Sequence, residues 1–395
     1  VKTFRFGPMI LAVLIVLSIV LMPLSIERAL IPSGTVKKAA SSLDPHIFQG
    51  MLLQQKMLED KSYLPIYGSS ELLRLNRYHP TNYFKVHPEG FTPFLIGRGG
   101  MYSLVHTLNL ATTGKALNKK KIVIILSPEW FTKQGLQKVH FDPNFSKEQT
   151  YYLMFHHTVN PKLREKIARR LLQFSFIRSD HNLATLLRNA AYPGSVSKPT
   201  LALATAQGYL TYKVLTLHDY LSAYRIKPGY KKSQRQKPDP ALADKSWAQL
   251  KADAKKSTAS ATDTNRFHIL TSLYNQHLRG KIASFKGYRH TESYNQSPEY
   301  GDLQLLLDLL KAKHVKALFV SVPFNGKWYD YAGVSKARRD VAYRNIAHEV
   351  KSNGFQLADF SRFDSKPYFI QDTMHISPMG WVYIDQAIEQ FYKKN

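Results

Sequence analysis

Residues Lys119–Phe131 read KKKIVIILSPEWF, three lysines followed by five apolar residues of which four are β-branched, and then Ser127-Pro128. A continuous β-branched run without polar alternation is the pattern of a strand covered on both faces, as in a parallel sheet with helices on either side. Proline at the second position past the run ends the ladder. This stretch therefore predicts a central parallel strand and places Ser127 and Glu129 at its carboxyl end.

Outward from it the same grammar recurs. Upstream, YLPIYGSSELLRL (Tyr63–Leu75) runs from β-compatible residues through a glycine and two serines into a helix-like leucine spacing. FTPFLIGRGGMYSLVHTLNL (Phe91–Leu110) repeats it with a glycine cluster at Gly97, Gly99 and Gly100. Downstream, HVKALFVSVPF (His314–Phe324) and FQLADF (Phe355–Phe360) read as strands. They are separated by the helical patterns of Gly301–Lys313 and Ser335–Gly354, and a last helix starts at Ser377. Strands alternating with helices of this length predict an α/β fold, a parallel sheet with helices on both faces. Its carboxyl edge would gather the Ser-Ser turn, the glycines, Ser127, Asn325 and the DTMH of residues 372–375.

Between Gln149 and Tyr294 the pattern turns helical. NPKLREKIARRLLQF (Asn160–Phe174) carries Leu163, Ile167, Leu171 and Leu172 at helical spacing behind an Asn-Pro entry, an amphipathic core helix with a solvated basic face. Arg225–Lys245 and Lys251–Asn265 are polar and poor in large apolar residues, and read as exposed connections. The block from about residue 150 to 295 is expected to be a helical insertion.

With 395 residues, 44% hydrophobic and 12% aromatic, the chain folds around a substantial core. It contains no cysteine, which excludes disulfides, thiolate nucleophiles and cysteine zinc sites. Its formal charge of +27, from 55 Lys and Arg against 28 Asp and Glu, calls for a polyanionic partner: nucleic acid, a phosphate-rich polymer or an anionic membrane surface. Location chooses among them. Lys2 and Arg5 precede an uncharged run, Gly7–Ile26, whose length as a helix approaches the roughly 30 Å of a bilayer core. No small-x-small cleavage site follows, so the expectation is an uncleaved single-pass anchor over residues 1–30. The N-terminus would be cytoplasmic and residues 31–395 extracytoplasmic. There the chain meets no nucleic acid.

YFIQDTMHISPMGW (Tyr368–Trp381) places Asp372 three residues before His375. In a tight loop that spacing lets the carboxylate accept the Nδ1 proton while Nε2 faces outward, as a general base requires. Alone, the motif is equally a surface loop, and the Ser-Ser turn is equally a helix cap. His46, His140, His156 and His157 lack a paired spacing with carboxylates, so no metal is expected.

YGSSEL (67–72), IGRGG (96–100), LSPEWF (126–131), PFNGKWYDY (323–331) and DTMH (372–375), in this order through nearly the whole chain, resemble the DltD family of teichoic acid D-alanylation, of the SGNH hydrolase-like class. The resemblance implies an SGNH hydrolase-like, flavodoxin-like sheet and an extracytoplasmic acyltransferase that passes D-alanine to lipoteichoic acid. No cofactor is implied, and the D-alanyl donor would come from the Dlt membrane machinery. It also implies Ser70 as nucleophile, His375 as base and Asp372 as its orienting partner, with Ser69 a turn residue. The Ser70 N–H and an N–H of Gly99 or Gly100 would bind the oxyanion, although a tight turn needing positive φ explains the glycines equally well. The class usually places an asparagine after its third conserved strand, where this chain has Ser127 and Glu129. Asn325 is the candidate replacement, with an Asn-Gly turn as its other reading. Trp130, Trp328 and Tyr329 are either pocket wall or core. A teichoic acid-binding scaffold without catalysis and a D-alanyl esterase or thioesterase are the competing functions.

Overall fold

The computed structural model describes residues 7–73, 75–226 and 238–394. Five parallel strands form one sheet in the order β2-β1-β3-β4-β5: β1 Tyr63–Gly68, β2 Thr92–Gly97, β3 Lys121–Leu126, β4 Lys316–Ser321 and β5 Gln356–Asp359. All five lie where the apolar runs place them. The chain winds outward in both directions from β1 and β3, so the crevice between their carboxyl ends is the topological switch point of the sheet.

Alternate residues of β3 divide the core. Ile122, Ile124 and Leu126 join Leu104, Leu108, Leu306 and Leu310 on one face, whereas Val123 and Ile125 join Trp381, Ile384 and Ile388 on the other. Two-sided burial is why the sequence shows a run and not an alternation. In β1 and β2 the register pairs Gly68 with Gly97 at the carboxyl end. A Cβ on Gly97 would stand 2.2 Å from the Gly68 carbonyl oxygen. The absence of side chains lets the turn after β1 lie against the loop after β2.

Most predicted helices form. Pro161–Leu171 starts at Asn160, whose Oδ1 accepts the Leu163 N–H at 2.8 Å, and it buries Leu163, Ile167 and Leu171. Pro298–Ala312, Lys336–Ser352 and Pro378–Lys393 follow. Three expectations require correction. Lys251–Asn265 is no exposed connection: Trp247–Thr262 is one helix behind a Ser246/Gln249 capping box, and Leu250, Ala254, Thr258 and Thr262 form a buried stripe. Small residues at i, i+4 spacing let it pack closely although they carry little hydropathy. The leucine pattern after Ser70 yields only a single 3-10 turn, Ser70–Leu73, so the serine turn has no long helix dipole behind it. Of the polar stretch Arg225–Lys245, residues 227–237 lie outside the described residues.

The third correction concerns the N-terminus. Gly7–Ile26 is not one helix: Gly7–Val20 has 14 residues, and a second helix, Leu24–Leu30, begins after Pro23 in extended conformation (φ −63°, ψ 137°). Proline cannot continue the hydrogen-bond ladder, and the segment beyond it turns into the body, where Glu27 is buried near Lys213 (4.0 Å). Among the described residues no helix is long and apolar enough to cross a membrane. Residues 1–6, including Lys2 and Arg5, lie outside the described residues. Gly7–Val20 is apolar on every side, with Met9, Leu11 and Leu14 more than half exposed.

Candidate active site

The turn after β1 is held by its own polar groups. The Ser69 N–H donates to Glu71 Oε1 at 2.6 Å. The Ser69 hydroxyl donates to the Arg98 carbonyl at 3.2 Å and accepts the Gly100 N–H at 3.1 Å. Ser69 therefore fastens the first turn to the glycine loop and does more than shape its own turn. Burial raises the Glu71 carboxyl above its ordinary range even though the N–H groups of Ser69 and Glu71 act to lower it. Gly100 has φ +86°, which favours glycine, and its N–H is already occupied by Ser69. For Gly100 the tight-turn reading holds. Gly99 lies against Ser70, where a Cβ would stand 3.5 Å from the Ser70 Cβ. Neither the Gly99 nor the Ser70 N–H has a hydrogen-bond acceptor among the described residues.

Opposite this turn, the loop before the last helix brings in Asp372 and His375. The loop is closed by the Gln371 N–H on the His375 carbonyl (2.9 Å) and is followed by Ser377, whose hydroxyl caps the helix at the Gly380 N–H (3.1 Å). Asp372 Oδ1 accepts the N–H groups of Met374 (2.8 Å) and His375 (2.7 Å), and Oδ2 lies 2.8 Å from His375 Nδ1. Burial by itself would raise Asp372. The His375 ring and the two backbone donors outweigh it and hold the carboxyl below the usual range. His375 Nε2 lies 3.0 Å from Ser70 Oγ. With Asp372 ionised, Nδ1 carries the proton and Nε2 is left to accept the Ser70 hydroxyl. A hydroxyl, an imidazole and a carboxylate thus stand in hydrogen-bonded sequence, the three kinds of group that acyl transfer through a serine requires.

Asn325 is not part of this arrangement. Its amide donates to the carbonyls of Asp372 (2.9 Å) and Phe267 (3.0 Å), and its Oδ1 caps the helix Gly326–Ala332 at the Trp328 N–H (3.2 Å). It braces the Asp372 loop from behind, outside the cleft that Ser70 faces. The expected oxyanion role therefore has no geometric basis for Asn325, while Gly99 and Ser70 present free donors.

Ser70 and His375 open into a cleft of about 680 Å³. Trp130 forms part of its wall, stacked on Tyr102 with ring centroids 5.0 Å apart, and His140 stacks on the same tyrosine. Trp328 is core. Among the described residues no set of three His, Asp or Glu side chains is arranged to hold a metal ion. The far wall carries charges. Arg289 donates to the Tyr329 hydroxyl at 2.8 Å and to Tyr288 at 2.8 Å, with Glu292 at 3.4 Å. Tyr294 donates to Glu292. Burial pushes the Glu129 carboxyl up to about 7 against the opposing pull of Arg289, Tyr329 and His375. Sequence reasoning missed Glu71, Arg289 and Glu292. For Glu71 there was a signal, an acid two residues past the first serine, within reach of that serine's N–H. For Arg289 and Glu292 there was none, because they arrive from the helical insertion.

The DltD protein family model matches residues 40–393. The chain belongs to the DltD family. It is 41% identical to Protein DltD of Bacillus subtilis (strain 168) over 388 residues, 98% of this chain and 97% of that protein. Protein DltD of Lacticaseibacillus rhamnosus is 30% identical, covering 98% of this chain and 90% of the relative. Protein DltD of Staphylococcus aureus (strain NCTC 8325 / PS 47) is also 30% identical, covering 99% and 97%. Similarity to DltD proteins thus spans both the serine turn and the histidine loop.

Proposed function

We propose that this DltD-family chain is a serine acyltransferase of the SGNH hydrolase-like class that transfers D-alanine to lipoteichoic acid outside the cell. The observation that carries the reading is the unbroken hydrogen-bonded line Ser70–His375–Asp372 at the switch point of the sheet. In the first half-reaction Ser70 Oγ attacks the D-alanyl carbonyl of a donor supplied by the Dlt membrane machinery. His375 Nε2 takes the hydroxyl proton and returns it to the leaving group, and D-alanine becomes an ester on Ser70. In the second half a lipoteichoic acid hydroxyl gives its proton to His375 and attacks that ester, and His375 passes the proton to Ser70 Oγ as it leaves. The Ser70 and Gly99 N–H groups face the carbonyl oxygen as it becomes an oxyanion.

Two exposed cations flank the cleft, Arg98 beside Gly99 and Lys133 beside Thr132, and suit a polyphosphate acceptor. The apolar helix Gly7–Val20 provides the attachment to the membrane at which both substrates are held. The test is to incubate the full chain with the Dlt membrane components and a D-alanine source and map adducts by mass spectrometry. A D-alanyl ester on Ser70 that disappears when lipoteichoic acid is added is the expected result. Persistent absence of an adduct, with D-alanylation intact, removes the enzyme and leaves the scaffold.

A further inference from the structure

The reactive serine shares its cleft with a carboxylate that has no ion-pair partner. Glu129 is the second residue of the 3-10 turn Pro128–Phe131 after β3, lines the same cavity as Ser70 and His375, and lies close enough to His375 for their charges to interact. Among the described residues no donor forms a hydrogen bond with it, and the nearby Tyr329 hydroxyl accepts Arg289. Among the described residues no lysine, arginine or histidine is within ion-pair distance of it. The contrast with the same protein's structural charges is sharp. Asp364 is gripped at both oxygens by Arg339, and Asp302 at both by Arg170.

Arg289 does not fill the vacancy. Its donors are directed to Tyr288, Tyr329 and Glu292, and Glu292 takes a further hydroxyl from Tyr294. The wall thus holds one guanidinium for two carboxylates, and Glu129 is the one facing the reaction centre. A single additional positive charge, small enough to stand beside an acyl carbonyl at Ser70, completes it. In an α-aminoacyl group the ammonium is attached to the carbon next to the carbonyl, so with the carbonyl at Ser70 it stands inside the cleft that Glu129 also lines.

We propose that Glu129, with Glu292 on the same cleft wall, receives the primary ammonium of the aminoacyl substrate and selects it over acyl groups that lack the charge. The assignment rests on the acyltransferase reading above, and names how that site recognises its acyl group. Hydrogen bonds to charged groups in such sites commonly account for about ten- to hundredfold in rate or affinity.

The experiment compares p-nitrophenyl esters of D-alanine and of propionic acid, which differ by the ammonium alone, as acyl donors to the full-length protein. The readout is formation of the Ser70 adduct by mass spectrometry, with kcat/KM from p-nitrophenol release. The expected result is that Glu129→Gln lowers kcat/KM for the D-alanyl ester about ten- to hundredfold and leaves the propionyl ester within about twofold. Glu129→Asp should restore part of the preference. Equal losses for both esters in the folded variant, verified by an unchanged melting temperature, would show that Glu129 serves the reaction centre in general and overturn the inference alone. Failure of both esters to acylate Ser70 in the unaltered protein would overturn it together with the acyltransferase reading.

Discussion

The two walls of the cleft are built on opposite electrostatic plans. On one, the side chains already have their partners: Asp372 is matched by His375 and two backbone donors, His375 by Ser70, and Glu71 by the Ser69 N–H. On the other, Glu129 feels the charge of Arg289 but pairs with no cation among the described residues, and its carboxyl is pushed up to about 7 by burial. A closed set of hydrogen bonds is preorganised and needs no ligand to hold its geometry, which suits groups that must move a proton at the moment of reaction. An open charge waits for its complement. In the proposed reaction the first wall performs the chemistry and the second recognises what is transferred.

The largest effects should come from the closed wall, and they should ignore the identity of the acyl group. Ser70→Ala and His375→Ala are each expected to lower acyl transfer at least about 10⁴-fold for D-alanyl and propionyl esters alike. The double variant should be no worse than either single one, because both break one proton-transfer unit. Additive losses in the double variant would show that the two residues act separately.

Asp372→Asn comes next, at about 10³- to 10⁴-fold, through loss of the orienting carboxylate. It also has a signature in stability. Because the folded state holds Asp372 below its unfolded value of about 3.9, the carboxylate contributes stability that is present above that pH. The contribution is lost as pH falls through the lower folded value. Acid denaturation of Asp372→Asn should therefore lack this part of the slope below about pH 4, and an identical acid profile in variant and parent would contradict the depressed carboxyl.

On the open wall the expected effect is smaller and selective. Glu129, facing Arg289, Tyr329, His375 and Glu292, ionises only as pH rises through about 7, while an α-amino group stays charged up to about pH 7.7 to 8.0. The ratio of D-alanyl to propionyl kcat/KM should climb between pH 6 and about 7.5, and Glu129→Gln should flatten it. A ratio independent of pH would make the two walls alike. The smallest change belongs to Ser69→Ala, which removes one hydroxyl joining the serine turn to the Arg98 and Gly100 backbone. Both esters should lose no more than about thirtyfold, since the two neutral hydrogen bonds it makes contribute about 1 kcal/mol net each.

Much of this molecule is written locally. The five strands were legible because strand runs and turn residues are short-range patterns, and the same patterns put Ser70, Asp372 and His375 at the carboxyl edge where the structure brings them together. So was the pairing of Asp372 with His375, three residues apart. Asn325 was misplaced for a related reason: its position at a strand end was correct, but which neighbour its amide meets is not a property of the strand end. The helix Trp247–Thr262 was missed because its buried stripe is alanine and threonine, residues that bury by closeness of packing and carry little hydropathy.

Sequence by itself determined which elements form and which residue types stand at the carboxyl edge. Only tertiary structure decided who meets across that edge. Ser70 and His375 are 305 residues apart, and their 3.0 Å contact depends on the β1–β2 register and on the loop capped by Ser377. Glu129 and Arg289 line one cleft although they are distant in the chain, and the run Gly7–Ile26 ends as a helix at Val20 because Pro23 and the buried Glu27 draw the chain into the body. The physical reason is the same in each case. Local propensity is fixed by neighbours in the chain, whereas a contact between distant residues is fixed by how whole elements pack, and that information is spread over the entire core.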